Sequence, residues 1–335
     1  MRFPVPDDQL IPSIIDLNRD VESYVIQASA ARTKYFEDPF VPLQFVHFAD
    51  VHYEAELWDR LVEYINYYSD TIEFALHTGD YCKSCQLYYT DFYNQCKPCD
   101  RPILNCVGNH DTVVNRDNVK STKQVTHSLL FNRTDGWDVN FMPGDFSMTY
   151  YKDFEKNNIR LIVLDDYYDI EQQVEWLKEV LVEAREKGYH VITAAHEATG
   201  ALVNFEDVTF HTRDAFIARF GNSTEFPFDR VIADFKQNGG VHICHLGGHH
   251  HHDRFGYTPS GVLNVMVECA TDWPFWCDGK RVRGTRTFDC FNVVSVDVNQ
   301  NLLKLVRVGN NCDHYLRSKR VLCYDYQEKK VICNY

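Results

Sequence analysis

The sequence predicts an α/β protein in which a parallel sheet carries polar side chains at its strand ends. Two observations lead to this prediction. Short apolar runs alternate with segments of helical spacing between residues 45 and 109. Asp50, Asp80 and Asn109 follow three of these runs and are 30 and 29 residues apart, the period of consecutive strand–helix–strand units. Right-handed crossovers would bring all three to one sheet edge, where open α/β sheets bind their ligands.

Composition limits the class of protein. The chain has 335 residues, of which 44% are hydrophobic and 24% charged, as is typical of a soluble globular protein. No apolar run approaches the ~18 residues of a membrane span and no signal-peptide core follows Met1, so we expect a cytoplasmic chain. A net charge of -14 disfavours long nucleic acids as partners, although bound divalent cations would reverse that field locally. We expect the 12 cysteines to be mostly reduced, and the oligomeric state is not predicted.

Residues 1–40 are predicted to form an N-terminal helical lead that packs on the core. Ser13 is a suitable N-cap, and apolar residues from Ile14 to Ala28 follow it at helical spacing. No repeat, low-complexity segment or linker interrupts residues 41–335. We therefore expect these residues to form a single domain.

The run at residues 45–52 predicts a buried strand that ends in Asp50 and His52. Side chains two positions apart point to the same side of a strand, so this carboxylate and this imidazole can bind one ion. The alternative is that Asp50 caps the following helix, predicted over residues 57–68, and that His52 lies on the surface. A second strand, residues 72–78, also ends in a carboxylate, because Gly79 and Asp80 follow it.

A third buried strand, residues 102–107, leads into Gly108, Asn109, His110 and Asp111. Gly108 would let the backbone turn sharply and place the Asn109 amide oxygen beside the His110 imidazole. Gly-Asn also occurs in ordinary turns, so this segment alone does not establish a site. Three oxygen ligands on neighbouring strand ends do predict one.

Four cysteines lie between the second and third strands, on either side of a helix predicted around residues 87–93. They form two Cys-x-x-Cys pairs, Cys82 with Cys85 and Cys96 with Cys99. Such pairs could hold a structural zinc ion. The alternatives are free thiols or a disulfide that lines one loop.

Residues 112–150 are predicted to be a polar, irregular insertion over the site, in which His127 either reaches a substrate or lies exposed on the surface. The elements predicted next are an edge strand (149–152), a buried strand (161–165), an amphipathic helix (174–184) that Gly188 ends, and a strand (190–195). That last strand ends in another metal-competent side chain, His196.

Residues 199–228 are predicted to be a second irregular insertion. The elements predicted after it are a helix (230–237), a strand (241–246) and two hairpins (strands 293–298 with 302–308, and 321–326 with 331–335). Four consecutive histidines follow strand 241–246. Because alternate residues share a face, His249 and His251 can point at the site, whereas His250 and His252 would point away.

These segments together resemble the calcineurin-like metallophosphoesterases over residues 43–255. The resemblance is carried by five motifs in the family's order: Asp50-x-His52, Gly79-Asp80, Gly108-Asn109-His110-Asp111, His196 and Gly248-His249-x-His251. It implies a layered β-sandwich flanked by helices, with a metal site at the carboxyl ends of the strands. The hairpins from about residue 285 would form a strand-rich C-terminal extension.

The resemblance also implies a site for two divalent transition-metal ions. Asp50, His52 and His251 would hold one ion, Asn109, His196 and His249 would hold the other, and Asp80 would bridge both. His110 would lie off the metals and meet the oxygen of the leaving group. Mixed imidazole and oxygen ligands suit Mn, Fe or Zn.

The implied function is hydrolysis of a phosphoester, in which a metal-activated hydroxide attacks a phosphodiester or phosphomonoester of a small molecule. A diester is slightly favoured, because it carries one charge fewer and meets less repulsion from this acidic chain. The alternatives are a nuclease of the same superfamily, against which the lack of a basic patch counts, and a non-catalytic scaffold that binds phosphate. Two departures from the family pattern, Cys82-Lys83 after the bridging aspartate and Glu197 in place of a proline after His196, remove no ligand.

Overall fold

A computed structural model describes residues 12–25, 42–52, 54–81, 98–112, 118–131, 138–200, 227–271, 281–311 and 319–334. The strands are β1 (Leu43–Phe48), β2 (Phe74–His77), β3 (Ile103–Asn105), β4 (Asn140–Phe141), β5 (Tyr150–Phe154), β6 (Ile159–Val163), β7 (His190–Ala194), β8 (Val241–Gly247), β9 (Arg254–Tyr257), β10 (Leu263–Met266), β11 (Cys290–Asp297), β12 (Leu302–Gly309), β13 (Val321–Asp325) and β14 (Lys330–Asn334). The helices are α1 (Ile14–Leu17), α2 (Ala55–Tyr67), α3 (Val119–Phe131), α4 (Ile170–Glu186) and α5 (Pro227–Gln237).

The first sheet has the strand order β14-β13-β12-β11-β1-β2-β3. Strands β1, β2 and β3 are parallel neighbours, which confirms the arrangement predicted from their spacing. Their carboxyl ends lie at the same edge of the sheet and lead to Asp50, Asp80 and Asn109. The predicted C-terminal hairpins are also confirmed, since β11 to β14 run antiparallel and extend the sheet beyond β1.

The second sheet has the strand order β4-β5-β6-β7-β8-β10-β9. Strands β6, β7, β8 and β10 are parallel, whereas β5 and β9 run antiparallel to their neighbours. The predicted edge strand at residues 149–152 is therefore not at the edge, because β4 pairs with its outer side. The carboxyl ends of β7 and β8 lead to His196 and to the four histidines.

The main core lies between the two sheets, and aromatic rings connect them. Phe45 and Phe74 of the first sheet stack at 4.6 Å, and Phe74 stacks on Phe154 of the second sheet at 5.0 Å. These rings are almost completely buried, and burial of large apolar side chains is the dominant favourable term in folding. The layered α/β architecture expected from the sequence is thus the one observed.

Helices cover the outer faces of the sandwich. Helices α4 and α5 share a second apolar cluster with the second sheet, in which Leu177 and Val231 pack near Val191. Helix α2 packs on the first sheet through Trp58, whose ring lies edge-on to Phe48 at 5.9 Å. Within the described part of the chain, no helix has the length and hydropathy needed to cross a membrane.

The prediction of irregular structure throughout residues 112–150 is wrong, because helix α3 occupies Val119–Phe131. Its buried side consists of Thr122, Thr126, Leu130 and Phe131, so threonines replace the apolar residues from which a helical period is recognised. The Thr126 hydroxyl donates to the Asp111 carbonyl at 3.2 Å, which attaches the helix to the loop after β3.

His127 is not the exposed surface histidine that one of the two expectations describes. It is half-buried on α3, with its ring 5.2 Å from Phe131, 5.7 Å from Phe141 and 6.0 Å from Phe146. Burial lowers the pKa of this imidazole, and its role in the fold is to fill an aromatic cluster.

The N-terminal helix is interrupted, whereas the sequence predicts a continuous one. Ser13 caps it as expected, but α1 ends at Leu17, a 3₁₀ turn follows at Arg19–Val21, and helical structure resumes at residues 22–25, where this described segment ends. The interruption falls at Asn18, whose side chain donates to the Ile14 carbonyl and accepts from the Gly309 amide at 2.8 Å. Polar contacts with the end of β12 therefore replace regular helical structure. The predicted helix around residues 87–93 and most of the insertion at 199–228 lie outside the described residues.

A fully buried arginine joins the two sheets behind the strand ends. Arg307 on β12 donates to Asp253 Oδ1 at 2.5 Å and to Cys290 Sγ, and its guanidinium lies 3.9 Å from Glu268. Asp253 precedes β9 and also accepts from the Glu268 amide at 2.9 Å, while Glu268 follows β10. Arg307 thus offsets the buried carboxylate of Asp253, whereas Glu268 also has the guanidinium of Arg281 at 3.3 Å.

Replacing this cation should destabilise the fold strongly. We predict that Arg307→Met lowers the free energy of unfolding by about 3–5 kcal/mol, because Asp253 loses its buried cationic partner while Glu268 retains Arg281. Urea unfolding measures the change. The control is Lys178→Ala, which removes an exposed ion pair with Glu175 and should change stability by less than about 0.5 kcal/mol. A loss below about 1 kcal/mol for Arg307→Met would show that the network does not connect the sheets energetically.

Candidate metal centre

Seven side chains at the carboxyl ends of five strands converge between the two sheets. They are Asp50 and His52 after β1, Asp80 after β2, Asn109 after β3, His196 after β7, and His249 and His251 after β8. These are the side chains that the sequence analysis named as ligands, and they form two clusters.

The first cluster contains Asp50, His52 and His251. His251 Nε2 lies 3.4 Å from Asp50 Oδ1 and 3.0 Å from His52 Nε2, and His52 Nε2 is 3.9 Å from Asp50 Oδ1. All three residues are buried, and each offers an atom within 4.8 Å of the others. Such a group of nitrogen and oxygen atoms can bind one metal ion.

The second cluster contains Asp80, Asn109, His196 and His249. His196 Nε2 lies 3.3 Å from Asp80 Oδ2 and 3.1 Å from Asn109 Oδ1. His249 Nδ1 lies 3.0 Å from the same Asn109 oxygen and 3.2 Å from His196 Nε2. His250 and His252 belong to none of the metal-capable groups found among the described residues.

Asp80 lies between the clusters, with His110 close to it. A metal-capable group of His52, Asp80 and His110 overlaps the first cluster, while Asp80 also groups with His196 and His249. His110 Nε2 is 3.9 Å from Asp80 Oδ2, and its ring lies edge-on to His52 at 4.9 Å. The His110 side chain is 30% exposed, so it faces the opening of the site.

The backbone at this site adopts a conformation that side chains normally avoid. Asp50, His52, Asp80, His249 and His251 all have positive φ values, between 46° and 69°. They account for five of the ten non-glycine residues with positive φ in the described chain. Such conformations cost ~1–3 kcal/mol each and cluster at functional sites.

Gly108 is required for space at this site. A Cβ atom at this position would lie 2.1 Å from Asp80 Oδ1 and 2.2 Å from the Asp80 backbone nitrogen. The φ of Gly108 is not in the left-handed region. The sharp turn expected from the sequence is therefore not the reason that glycine is needed here. The glycine instead lets the loops after β2 and β3 approach each other.

Asp111 holds these two loops together, a role that the sequence analysis did not assign. Its carboxylate accepts from the backbone amides of Gly108 at 2.8 Å, Asp80 at 2.9 Å and Tyr81 at 3.0 Å. Three amide donors on one buried carboxylate fix the positions of Asp80 and Asn109 relative to each other. Asp111 belongs to the Gly108–Asp111 motif, but its role depends on Asp80, which lies 31 residues away in the sequence.

The electrostatics of the site favour bound positive charge. Burial alone would raise the pKa of Asp50 and Asp80, but the surrounding imidazoles hold both below their usual range. Burial lowers the pKa of His52 to about 4 and that of His249 to about 2. Burial also disfavours charge on His196, but the carboxylates of Asp80 and Asp50 outweigh it and raise its pKa to about 10. The two carboxylates therefore stay ionised and attract cations.

A cavity of about 550 Å³ opens beside the second cluster. The residues that line it are Asn109, Thr112, Val119, Thr122, Tyr167, Tyr168 and His249. The two tyrosines follow β6, a strand end that the sequence analysis did not connect with the site. They could have been found by applying the strand-end argument to β6, since β6 pairs in parallel with β7.

Most of the predicted four-cysteine zinc site lies outside the described residues. Cys82, Cys85 and Cys96 lie outside them, and Cys99 forms no disulfide with any described cysteine. Burial raises the pKa of the Cys99 thiol to about 11. A structural zinc site formed by the four residues stays a prediction.

A sandwich of two sheets whose strand ends converge on paired histidine–carboxylate clusters defines a metallophosphoesterase type of protein. A model of the calcineurin-like phosphoesterase family matches residues 43–253, and the chain belongs to that family. Family membership supports metal-dependent phosphoester hydrolysis and implies two divalent metal ions.

Solved structures resemble the chain in fold. A dimetal phosphatase from Danio rerio is 13% identical and has a TM-score of 0.54, with 85% of this chain and 99% of that one covered. A protein from Thermus thermophilus is 9% identical over 81% of this chain and 99% of that one, but its TM-score of 0.39 is too low to support an argument. A search of curated proteins finds no match.

The side chains present fit the two ions that the family implies. Imidazole nitrogens with carboxylate and amide oxygens are ligands that Mn, Fe and Zn accept. Asp50 Oδ1 is buried and accepts no hydrogen bond from any described residue, although three imidazoles lie within 4.0 Å of it. A buried carboxylate oxygen of this kind is stabilised by a bound cation.

The hydrogen bonds by which the Asp111 carboxylate joins the loops after β2 and β3, here called the Asp111 clamp, can be tested by a single conservative substitution. We predict that Asp111→Asn lowers the free energy of unfolding by about 1–3 kcal/mol, because an amide cannot accept all three backbone hydrogen bonds. Urea unfolding measures this loss. Asp145→Asn is the control, since Asp145 is exposed and pairs only with a surface lysine. Equal free energies of unfolding for the Asp111→Asn variant and the unchanged chain would show that Asp111 does not hold the two loops together.

Proposed function

We propose that this chain is a dinuclear metallohydrolase that cleaves phosphoester bonds of small molecules. Asp50, His52 and His251 would hold one ion, Asn109, His196 and His249 would hold the other, and Asp80 would bridge them. The observation that supports this most directly is the position of Asp80, which groups with His52 on one side and with His196 and His249 on the other.

The bound ions would supply Lewis-acid chemistry, polarising a phosphoryl oxygen and lowering the pKa of a water molecule. The protein's own contribution is orientation. Asp50 Oδ2 accepts from the His249 amide at 2.9 Å, and Asp80 Oδ1 accepts from the His110 amide at 2.8 Å. The carboxylates of Asp50 and Asp80 thus also fix the backbone at His249 and His110. The site is therefore preorganised before a substrate binds.

His110 is assigned the role of general acid. Its imidazole is exposed enough to meet a substrate and lies beside Asp80, where the leaving-group side of a bound phosphoester would be expected. Transfer of a proton from Nε2 to the leaving oxygen would neutralise the charge that develops there as the ester bond breaks. His110 also groups with His52 and Asp80, so a variant at this position is assayed for metal content as well as for turnover.

The cavity supports a small substrate. About 550 Å³ falls in the usual size range of small-molecule sites, and its walls are tyrosine, threonine and valine side chains. A phosphodiester is slightly favoured over a monoester, because the chain carries a net charge of -14 and a diester has one negative charge fewer.

Replacing His110 separates catalysis from metal binding. We predict that His110→Ala keeps two ions per chain and lowers turnover of a nitrophenyl phosphoester by about 10²–10⁴-fold, the range for a lost acid. Metal analysis and steady-state kinetics of the same preparation measure both quantities. His190→Ala, at the opposite end of β7, should change neither. Loss of an ion from the His110→Ala variant would identify His110 as a ligand and contradict its role as acid.

The preference for a diester is measured as a ratio. We expect kcat/KM for a nitrophenyl diester to exceed that for the corresponding monoester at neutral pH with Mn²⁺. Because the preference is attributed to charge repulsion, added salt should reduce the ratio. A ratio well below one at low salt would show that the monoester is the preferred class of substrate, with the hydrolase assignment unaffected.

A further inference from the structure

Glu197 is a buried acid directly beside the second cluster. It follows His196, is 2% exposed, and occupies the position where a proline is common in the family. Three hydrogen bonds hold it. Its amide donates to Asp166 at 2.8 Å, its carbonyl accepts from His245 Nε2 at 2.9 Å, and its carboxylate accepts from the Tyr167 hydroxyl at 3.0 Å. The backbone and the carboxylate are therefore both fixed in place.

The fixed carboxylate faces the outer nitrogen of His249. Glu197 Oε1 lies 4.0 Å from His249 Nε2, which is beyond hydrogen-bonding distance, so the interaction between them is electrostatic. The other ring nitrogen, Nδ1, points into the cluster, at 3.0 Å from Asn109 Oδ1 and 3.2 Å from His196 Nε2. The two nitrogens thus have different surroundings, a carboxylate on one side and ligand atoms on the other.

A carboxylate on the outer nitrogen of a ligating histidine has a known physical effect. It favours the tautomer with the proton on that nitrogen, which leaves the lone pair of the inner nitrogen directed at the metal. The nearby negative charge also makes the inner nitrogen a better donor. The interaction is strengthened here because Glu197 is removed from water.

We propose that Glu197 is a positioning residue for His249, held in place by Tyr167, and that it raises the affinity of the second cluster for its metal ion. The inference rests on the proposed function, because it requires His249 to be a ligand through Nδ1. It adds a contact that belongs to this chain: a proline at position 197 would have no carboxylate. It also connects the metal to the substrate cavity, since Tyr167 lines that cavity.

The test is calorimetric titration of the full-length, metal-stripped chain with Mn²⁺. The unchanged chain should bind two ions. Glu197→Gln keeps the shape of the side chain and removes its charge, and it should weaken one of the two sites by about 10-fold or more, the usual effect of losing such an outer contact. Tyr167→Phe should weaken the same site to a smaller extent. Tyr67→Phe removes a hydroxyl from an exposed side chain at the end of α2 and should leave both affinities unchanged.

Thermal unfolding of the same metal-stripped variants distinguishes positioning from general stability. The proposal predicts an unchanged midpoint for Glu197→Gln together with selective loss at one site. Unchanged Mn²⁺ affinities, or an equal loss at both sites with a lowered midpoint, would overturn it. If the unchanged chain bound fewer than two ions, the proposed function itself would fail, which is a different result from two ions that do not respond to Glu197.

Discussion

Burial of two carboxylates between the sheets is the constraint on which the site depends. Asp50 and Asp80 are at most 1% exposed, and an isolated ionised carboxylate in such surroundings would be very unfavourable. The negative charge of each carboxylate is compensated by two kinds of group. Backbone amides after β8 and β3 donate to them, and imidazoles from β1, β7 and β8 surround their remaining oxygens. These two acids, both candidate metal ligands, therefore also anchor the loops that carry the other candidate ligands.

The backbone of the converging residues is strained, so the surrounding structure has to hold it rigidly in place as a frame. Five of the seven converging residues have positive φ values, which only a well-determined surrounding structure maintains. The frame consists of the strands that precede these residues, the Asp111 clamp between the loops after β2 and β3, and the buried Arg307 behind β9 and β10. On the side of the cavity, the Glu197 carboxylate lies 4.0 Å from the outer nitrogen of His249. Support is thus distributed over both sheets.

The sequence predicted the elements whose signals are local. The strands β1, β2 and β3 were recognisable from short apolar runs, and their spacing predicted parallel neighbours. Asp50 and His52 do not converge through the side-chain alternation of a strand, however, because β1 ends at Phe48 and both residues have positive φ values. Helix α3 was not recognised because Thr122 and Thr126 occupy its buried side.

Contacts between distant segments were not predictable in the same way. Asp111 reaches Asp80 across 31 residues and Tyr167 reaches Glu197 across 30, and both contacts depend on strand register. Asp253, the buried carboxylate partner of Arg307, comes from the opposite sheet, so no pattern within β12 indicates it. The ligand candidates could be named because the family resemblance supplied their grouping, while the residues that support them required the structure.

The central claim is that one carboxylate, that of Asp80, bridges two metal ions. The most direct measurement is anomalous diffraction at the manganese absorption edge from crystals of the full chain grown with Mn²⁺. The account predicts two anomalous peaks per chain, about 3.5–4 Å apart, with an Asp80 oxygen beside both. A single peak, or two peaks of which Asp80 contacts only one, would contradict it.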